Sequence, residues 1–238
     1  MLRRLVALLF AATALRGCAT YEYEHEIWLR VDGSGTVNVT GRPALWTAFK
    51  SLPLDPQGDA DELKRKASEL FERSGLSVKR VTLTTRRGQR YLFVSADFKD
   101  VNRISFTPAF PDLRVGVRRE GGRLILDGSW QRPLDALAGG EHDRAGLMAV
   151  RFHLPSKVYS HQNAVGGVQR GNIIGWRQWV EQGVGGQAMA FGALIDRRSI
   201  LLSTVGLFAG AIVLGLSALG LAVYLTFRRG RAAAGSSG

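Results

Sequence analysis

Residues able to perform chemistry are few in this 238-residue chain, and its histidines are the first to consider. They are His25, His142, His153 and His161. None has a cysteine partner or the H-x-x-x-H spacing that presents two ligands on one helix face, so no metal site is predicted. His25 falls on the apolar side of an alternating segment, where we expect a core histidine whose polar atoms are satisfied.

The serines also lack the surroundings of a catalytic nucleophile. Ser34 and Ser129 follow glycines, but neither stands in a G-x-S-x-G turn. Ser160, His161 and Asn163 form the densest polar group, yet adjacent residues of an extended segment point to opposite sides. The sequence has no phosphate-binding glycine loop. We therefore predict no catalytic residue, no cofactor and a protein that is not an enzyme; a cell-wall hydrolase is the least favoured alternative.

A long uncharged segment near the C-terminus is the strongest signal in the sequence. Residues 199–227 carry no charge, and arginines stand on both sides, at 197 and 198 and at 228, 229 and 231. About 20 apolar residues cross a bilayer as a helix, whose backbone groups bond to one another. We predict a transmembrane helix over 199–227 and a cytoplasmic tail over 228–238. Gly206 and Gly210 form a small-residue pair that suits a homodimer contact.

The N-terminus has the layout of an export signal. Two arginines precede an apolar run over residues 5–15, which is too short to span a bilayer. Residues 15–18, which end in Cys18, resemble the lipobox of bacterial lipoproteins, in which the cysteine is acylated. On this interpretation residues 1–17 are a lipoprotein signal peptide and Cys18 is the lipidation site. Cleavage after Ala14, at an A-x-A site, is the alternative.

Export of the N-terminus predicts that residues 18–198 lie outside the cytoplasm, held on the bacterial cell membrane by one span. The whole chain has 32 basic and 20 acidic residues, a net charge of +12. Six basic residues lie in the leader and the tail, so the exported region keeps 26 basic and all 20 acidic residues, a charge of +6. An exported positive domain suits a membrane surface, anionic lipid or glycolipid, and does not suit nucleic acid.

The exported region has the pattern of an α+β fold, a mostly antiparallel sheet with two early helices. Residues 21–32 alternate between apolar and polar, which predicts a half-buried strand with a solvated acidic face. Pro43 begins one helix, and Asp59 caps a second helix that ends before Gly75. Short helical turns are predicted near 100–104 and 135–138. Further strands are predicted over 76–85, 90–98, 113–119, 123–129, 146–154, 172–180 and 187–194.

Two short segments resemble a known family. The stretch F-x-x-P-S-K-V at 152–158, then Asn163, then G-N-I-I-G-W at 171–176 are similar to the closing part of the LppM-type lipoprotein domain. A lipobox leader and a C-terminal membrane helix belong to the same layout. The resemblance implies a non-enzymatic envelope domain of mixed α+β fold that engages lipid or glycolipid.

Eight residues are candidates for contact with such a ligand. They are Trp46, Phe49, Arg86, Arg87, Arg118, Arg119, Lys157 and Trp179. In this hypothesis the aromatic side chains line an apolar groove and the arginines of two turns form its basic rim; core packing is the other interpretation of Trp46 and Phe49. Trp176 stands three residues before Trp179, so one of the two can face the core while the other does not. The alternative function is a protein-interaction or assembly module of the envelope.

Overall fold

A computed structural model describes residues 21–105, 107–133, 145–165, 167–196 and 200–234 of the chain. Two predictions fall outside these residues. They are the signal peptide with its lipidation site Cys18, and the helical turn near 135–138.

Strands predominate in the described residues. The strands are β1 (Tyr23–Leu29), β2 (Gly35–Gly41), β3 (Ser77–Arg86), β4 (Gln89–Phe98), β5 (Leu113–Glu120), β6 (Arg123–Trp130), β7 (Leu147–His153), β8 (Val158–Gln162), β9 (Val168–Gln169), β10 (Ile173–Trp179) and β11 (Met189–Asp196). The helices are α1 (Pro43–Lys50), α2 (Ala60–Arg73), α3 (Val180–Val184) and α4 (Ile200–Ala234), with a 3-10 turn at Val101–Arg103. The α+β prediction with two early helices is confirmed.

These strands form two sheets. The larger has the order β3-β4-β2-β1-β7-β10-β9, and the smaller has the order β5-β6-β11-β8. Neighbouring strands are antiparallel, except that β1 and β7 run parallel with Ile27 opposite Phe152. A parallel pair requires a long crossover, which here contains β2 to β6. The alternation of each strand fixes which face is buried but not which strand lies beside it, so the sequence does not predict this pair.

The alternation of apolar and polar residues correctly predicts the buried face of β1. The exposure of its acidic face differs from the prediction. The strand ends at Leu29 because Asp32 accepts a hydrogen bond from the Ser34 amide, 2.9 Å long, which closes the turn into β2. The acidic face is half-buried rather than fully solvated, since Arg151 on β7 donates through Nε to Glu24 at 3.0 Å. Burial raises the pKa of Glu24, and the charge of Arg151 opposes that rise.

Both early helices begin and end where local chemistry predicts. Pro43 is the first residue of α1, and Ser51, in the left-handed conformation with φ 51°, ends it. The Asp59 carboxylate accepts the amide hydrogens of residues 61 and 62 at the start of α2. Gly75, with φ 76°, follows the last turn of α2. The apolar side of α2 is buried against the larger sheet through Leu63, Ala67, Leu70 and Phe71.

One hydrophobic core lies between the two sheets and under α1 and α2. Trp130 of β6 stacks on Tyr23 of β1 with ring centroids 5.4 Å apart. Phe191 of β11 lies 5.6 Å from Phe152 of β7. Each large side chain buried in this way contributes about 1.5–3 kcal/mol. Phe191 also lies 5.3 Å from Trp176 of β10, so the end of β10 and the start of β11 lie in the same region of the surface.

The C-terminal helix α4 has 35 residues. Its segment 204–224 has 21 residues and a mean hydropathy of 2.2, and 0% of it is buried. At 1.5 Å per residue this segment is about 32 Å long, close to the thickness of a bilayer core of about 30 Å. By length and composition α4 can therefore cross a membrane.

Candidate ligand groove

One cleft in the structure lies between the end of β10, the helix α3 and the start of β11. Its volume is about 600 Å³. We name it the distal groove, because it lies at the opposite end of β11 from α4. The apolar side chains that line it are Leu147, Val165, Trp176, Trp179, Ala188, Met189 and Ala190, and the polar ones are Asn163, Arg177, Gln178, Gln182 and Gln187.

Two tryptophans have opposite roles in the distal groove. Trp176 is 1% exposed, and its indole N–H donates to the Gln162 carbonyl at 2.5 Å. Trp179 is 58% exposed, and its backbone N–H donates to the Gln182 side chain at 3.1 Å where β10 passes into α3. Residues three apart on a strand lie on opposite faces, so the Trp176 ring packs in the core and the Trp179 ring faces the groove. Trp179 is the sequence-predicted site residue that the structure places there.

Side-chain amides surround the exposed indole. Each amide can donate and accept hydrogen bonds, and Gln178 already donates to the Gln187 carbonyl at 3.3 Å. Arg177 is exposed beside them and supplies a planar set of donors. No carboxylate, histidine or serine is among the described residues that line the groove. The groove therefore offers a surface for binding without an acid–base pair.

Two strand edges border the distal groove. Among the described strands, β9 pairs with β10 only at Ile173 and Ile174, and β8 pairs with β11 only from Gly192 onward. Residues 175–179 and 189–191 therefore have no described strand on that side. The sequence does not predict this feature, because it depends on where short neighbouring strands end.

Trp46 and Phe49 lie in the core. Both are 0% exposed. The Trp46 indole N–H donates to the Gly41 carbonyl at 3.2 Å, and the Phe49 ring lies 4.9 Å from that of Tyr23. Neither ring lines a described cleft, which agrees with the core-packing interpretation and not with a ligand-facing one.

Strand order keeps the four candidate arginines in two separate places. Arg86 and Arg87 lie at the β3–β4 turn. This turn extends beyond one end of the larger sheet, the end at which Leu92 of β4 pairs with Gly41 of β2. Arg119 lies at the other end, where its guanidinium is 3.5 Å from the carbonyl of residue 31, just after β1. The expected basic rim shared by both turns is therefore corrected: the pairs do not meet, and neither borders the distal groove.

The remaining candidates are also outside the groove. Arg118 pairs with Asp127 on the neighbouring strand at 2.6 Å. Lys157 is exposed, and its carbonyl accepts the Asp196 amide hydrogen at 2.8 Å, so it lies beside the last residue of β11.

A charged cluster that the sequence did not reveal lies sealed in the core. Lys50 donates to the Ala109 carbonyl and lies 3.2 Å from Asp112, whose other oxygen accepts the Trp130 indole N–H at 2.8 Å. Burial lowers the pKa of Lys50 and raises that of Asp112, while their mutual attraction opposes both shifts. Lys50 and Asp112 are each 2% exposed and Trp130 is 0% exposed, so the cluster packs as part of the core.

His25 belongs to the same buried region, and its state differs from the expectation. It is 0% exposed, and Nε2 lies 3.6 Å from the Asp112 carboxylate, beyond hydrogen-bond distance. Neither ring nitrogen has a hydrogen-bond partner among the described residues. Burial, and then the Lys50 charge, hold the pKa of His25 well below its usual range. The histidine is in the core as predicted, but its polar atoms are not satisfied.

The nearest arrangement to an acid–base pair lies on the outer face of the larger sheet. His153 Nε2 is 2.8 Å from Glu26, and its ring stacks on Trp28 with centroids 4.4 Å apart. Ser95 borders the same cleft but stands on β4, three strands from β7. That separation is about 14 Å, too far for a nucleophile to contact the histidine.

Comparison with known proteins yields one solved structure and no family. No family model and no curated protein matches the chain. The NMR structure of the folded domain of LppM from Mycobacterium tuberculosis is similar with 15% sequence identity and a TM-score of 0.39, over 76% of this chain and 94% of that one. A TM-score this low establishes neither a shared family nor a shared ligand. Membership of the LppM family therefore stays a prediction.

Proposed function

We propose that this chain is a non-enzymatic bacterial envelope protein, anchored by α4, whose outward-facing domain binds the head of a glycolipid in the distal groove. The observation that carries the proposal is Trp179, an exposed indole beside side-chain amides and Arg177. The membrane anchor rests on the length and composition of α4.

The chemistry of the distal groove suits a sugar better than an acyl chain. The negative face of an indole attracts the positively polarised C–H groups on the flat side of a sugar ring. Planar amides, with one acceptor and two donors each, match neighbouring hydroxyl groups. Arg177 supplies donors for a phosphate or carboxylate on the same head. A groove for acyl chains would be lined mainly by aliphatic side chains, whereas five of the twelve residues that line this groove are polar and two are tryptophans.

The place of the groove along β11 favours a large head. Met189 borders the groove and Asp196 precedes α4, so the two are separated by the length of the strand, about 24 Å. A phospholipid headgroup layer is only about 5–8 Å thick. An extended saccharide reaches further from the bilayer than a phospholipid head, so it is the better candidate.

Native mass spectrometry of the full chain, purified from its membranes in mild detergent, tests this function. The probe is the lipid that co-purifies, identified by its fragment masses. We expect a hexose-containing lipid on the parent protein and an occupancy reduced about ten-fold or more in Trp179→Ala. Trp28→Ala, which removes an indole from the outer face of the larger sheet, is the matched control and should keep the lipid. Equal loss in both variants, or a phospholipid bound without regard to Trp179, contradicts the proposal.

A second function has one observation in its favour. The two strand edges beside the distal groove could accept an extended peptide as an added strand, which is a common mode of protein recognition. In that case a partner protein would protect the amides of residues 175, 177 and 190 from hydrogen exchange. A glycolipid would change the environment of the Trp179 indole and leave those amides exchanging.

A further inference from the structure

A second surface lies at the other end of the domain, where β11 passes toward α4. Asp196, the last residue of β11, stands opposite Arg123 in the smaller sheet. Tyr159 donates to the Asp196 carboxylate at 3.2 Å, and the Arg123 guanidinium lies 4.9 Å from the centre of the Tyr159 ring. Lys157 adjoins Asp196 through the backbone bond described above. We name Arg119, Arg123, Lys157 and Tyr159 the basal rim.

The chain itself keeps the basal rim close to the membrane helix. Four residue steps separate Asp196 from Ile200, where α4 begins, and they span at most about 14 Å. Four further helical residues, about 6 Å, lead to Thr204, the first residue of the apolar segment. Asp196 is therefore within about 20 Å of the start of the span, whichever side of the membrane the domain occupies.

The composition of the basal rim matches an anionic interface. Arg119, Arg123 and Lys157 are exposed, and Tyr159 is 53% exposed. Glu120, Asp127 and Asp196 are the acidic residues of β5, β6 and β11, and Asp127 pairs with Arg118. Two more arginines, 197 and 198, follow in the sequence. Lysine and arginine side chains extend toward phosphates, while tyrosine is enriched at the depth of the headgroups.

We propose that the basal rim docks on the anionic headgroups of the bilayer that α4 spans, so that the domain is held against the membrane in a fixed orientation. This contact is separate from the distal groove and needs no glycolipid. It rests on one part of the proposed function, the insertion of α4. Docking at this end keeps the distal groove on the side that faces away from the bilayer.

Fluorescence quenching in nanodiscs tests the docking on the full chain with Cys18→Ala. A fluorophore is placed at Ser160→Cys, beside the rim, or at Thr85→Cys, near the opposite end of the larger sheet. The discs contain phosphatidylcholine alone or with 30% phosphatidylglycerol, a composition chosen for the probe, and a lipid with a nitroxide on its head quenches fluorophores near the surface. We expect strong quenching at position 160 in anionic discs and weak quenching at position 85 in both.

A charge-matched pair of variants separates docking from general attraction. Each basic side chain near an anionic surface raises the equilibrium constant for contact with that surface about five-fold. Arg123→Gln with Lys157→Gln should reduce the quenching at position 160 to its level in neutral discs. Arg86→Gln with Arg87→Gln, which removes the same charge from the distant turn, should leave it unchanged.

The outcomes distinguish this inference from the proposed function. If the protein inserts into discs but position 160 is quenched no more than position 85, the docking is wrong and the glycolipid proposal stands. Equal effects of the two charge pairs would also overturn the docking. If the protein does not insert at all, both the docking and the membrane anchor fail.

Discussion

At the scale of single residues, the pair Lys50 and Asp112 is the least expected feature of this protein. Two opposite charges in a dry core remain only if each has hydrogen-bond partners, because the desolvation of each charge costs several kcal/mol. Here the Ala109 carbonyl and the Trp130 indole supply those partners. The pair fixes the end of α1 to the segment that leads into β5.

Removing one partner of this pair should be costly. Lys50→Met leaves the Asp112 charge buried and unpaired, so we expect a loss of about 3–5 kcal/mol in the free energy of unfolding. Urea unfolding of the full chain in detergent, followed by tryptophan fluorescence, measures it. The double variant with Asp112→Asn keeps an acceptor for Trp130 and should recover more than half of the loss. Lys66→Met, on the exposed side of α2, is the control and should change little. Equal destabilisation by Lys50→Met and Lys66→Met would contradict the account.

The buried His25 should make the stability of the domain depend on pH. Its pKa is lowered in the folded state, so below the unfolded value of about 6.5 the unfolded chain binds a proton that the folded chain does not. Stability should therefore be complete above that pH and fall as the pH drops below it, by up to about 1.4 kcal/mol per pH unit. The groups that face the ring, Tyr23, Lys50 and Asp112, are the same in a His25→Phe variant. That variant should lose this dependence between pH 5 and 6.5, and an unchanged slope would show that His25 does not titrate in this way.

At the scale of elements, the strands of the smaller sheet are packed by close backbone approach as well as by side chains. Gly128 on β6 has no room for a side chain: an added Cβ would press on the Arg114 carbonyl and lie 2.5 Å from the Phe191 ring. Phe191 in turn carries the contact with Phe152 across the core. The position of β11, which borders the distal groove and ends at the basal rim, depends on this packing.

A matched pair of glycine substitutions tests that packing. Gly128→Ala should destabilise the domain by about 1–3 kcal/mol, because backbone and a packed ring must both move. Gly175→Ala, also in a strand, would meet its nearest atom at 3.7 Å and should be close to neutral. Thermal unfolding of both variants in the same detergent gives the comparison. A cost at Gly175 equal to that at Gly128 would contradict the contacts described here.

Local signals in the sequence predict most of the helices and strands. They do not predict which distant strands pair with each other. The Asp59 cap and the apolar stripe of α2 are encoded within a few residues, so α2 could be predicted with its ends. β8 is not among the predicted strands, and in the structure Val158 is its one buried residue, so it has no alternating pattern. The parallel partner of β1 lies more than 100 residues away, and no local pattern specifies it.

The same division applies to the candidate site. Trp179 could be predicted from its spacing to Trp176, since the two lie on one strand. The amides around it come from β10, α3 and two loops that only the fold brings together. The arginines of the β3–β4 and β5–β6 turns were expected to form one rim because both turns are basic. The strand order places the two turns far apart.

At the scale of the whole molecule, β11 joins the two ends of the domain for which we propose functions. One end continues toward α4 and carries the basal rim, and the other carries the distal groove about 24 Å away. On α4 itself, side chains added at Gly206 or Gly210 would meet no described atom, so the face predicted to form a homodimer is open. Whether the domain faces outward depends on the leader, and a start at Cys18 or after Ala14 would be seen in the mass of the mature protein.

An alkaline carbonate wash of membranes from expressing cells tests whether α4 anchors the domain in the membrane. The full chain carries Cys18→Ala, so that acylation cannot hold it. Three arginines in place of Val213, Leu216 and Leu219 cost about 2.5–3.5 kcal/mol each near the bilayer centre and should release the protein. The chain with the native helix should stay in the membrane pellet. Its release into the supernatant together with the triple-arginine variant would show that α4 does not anchor the domain.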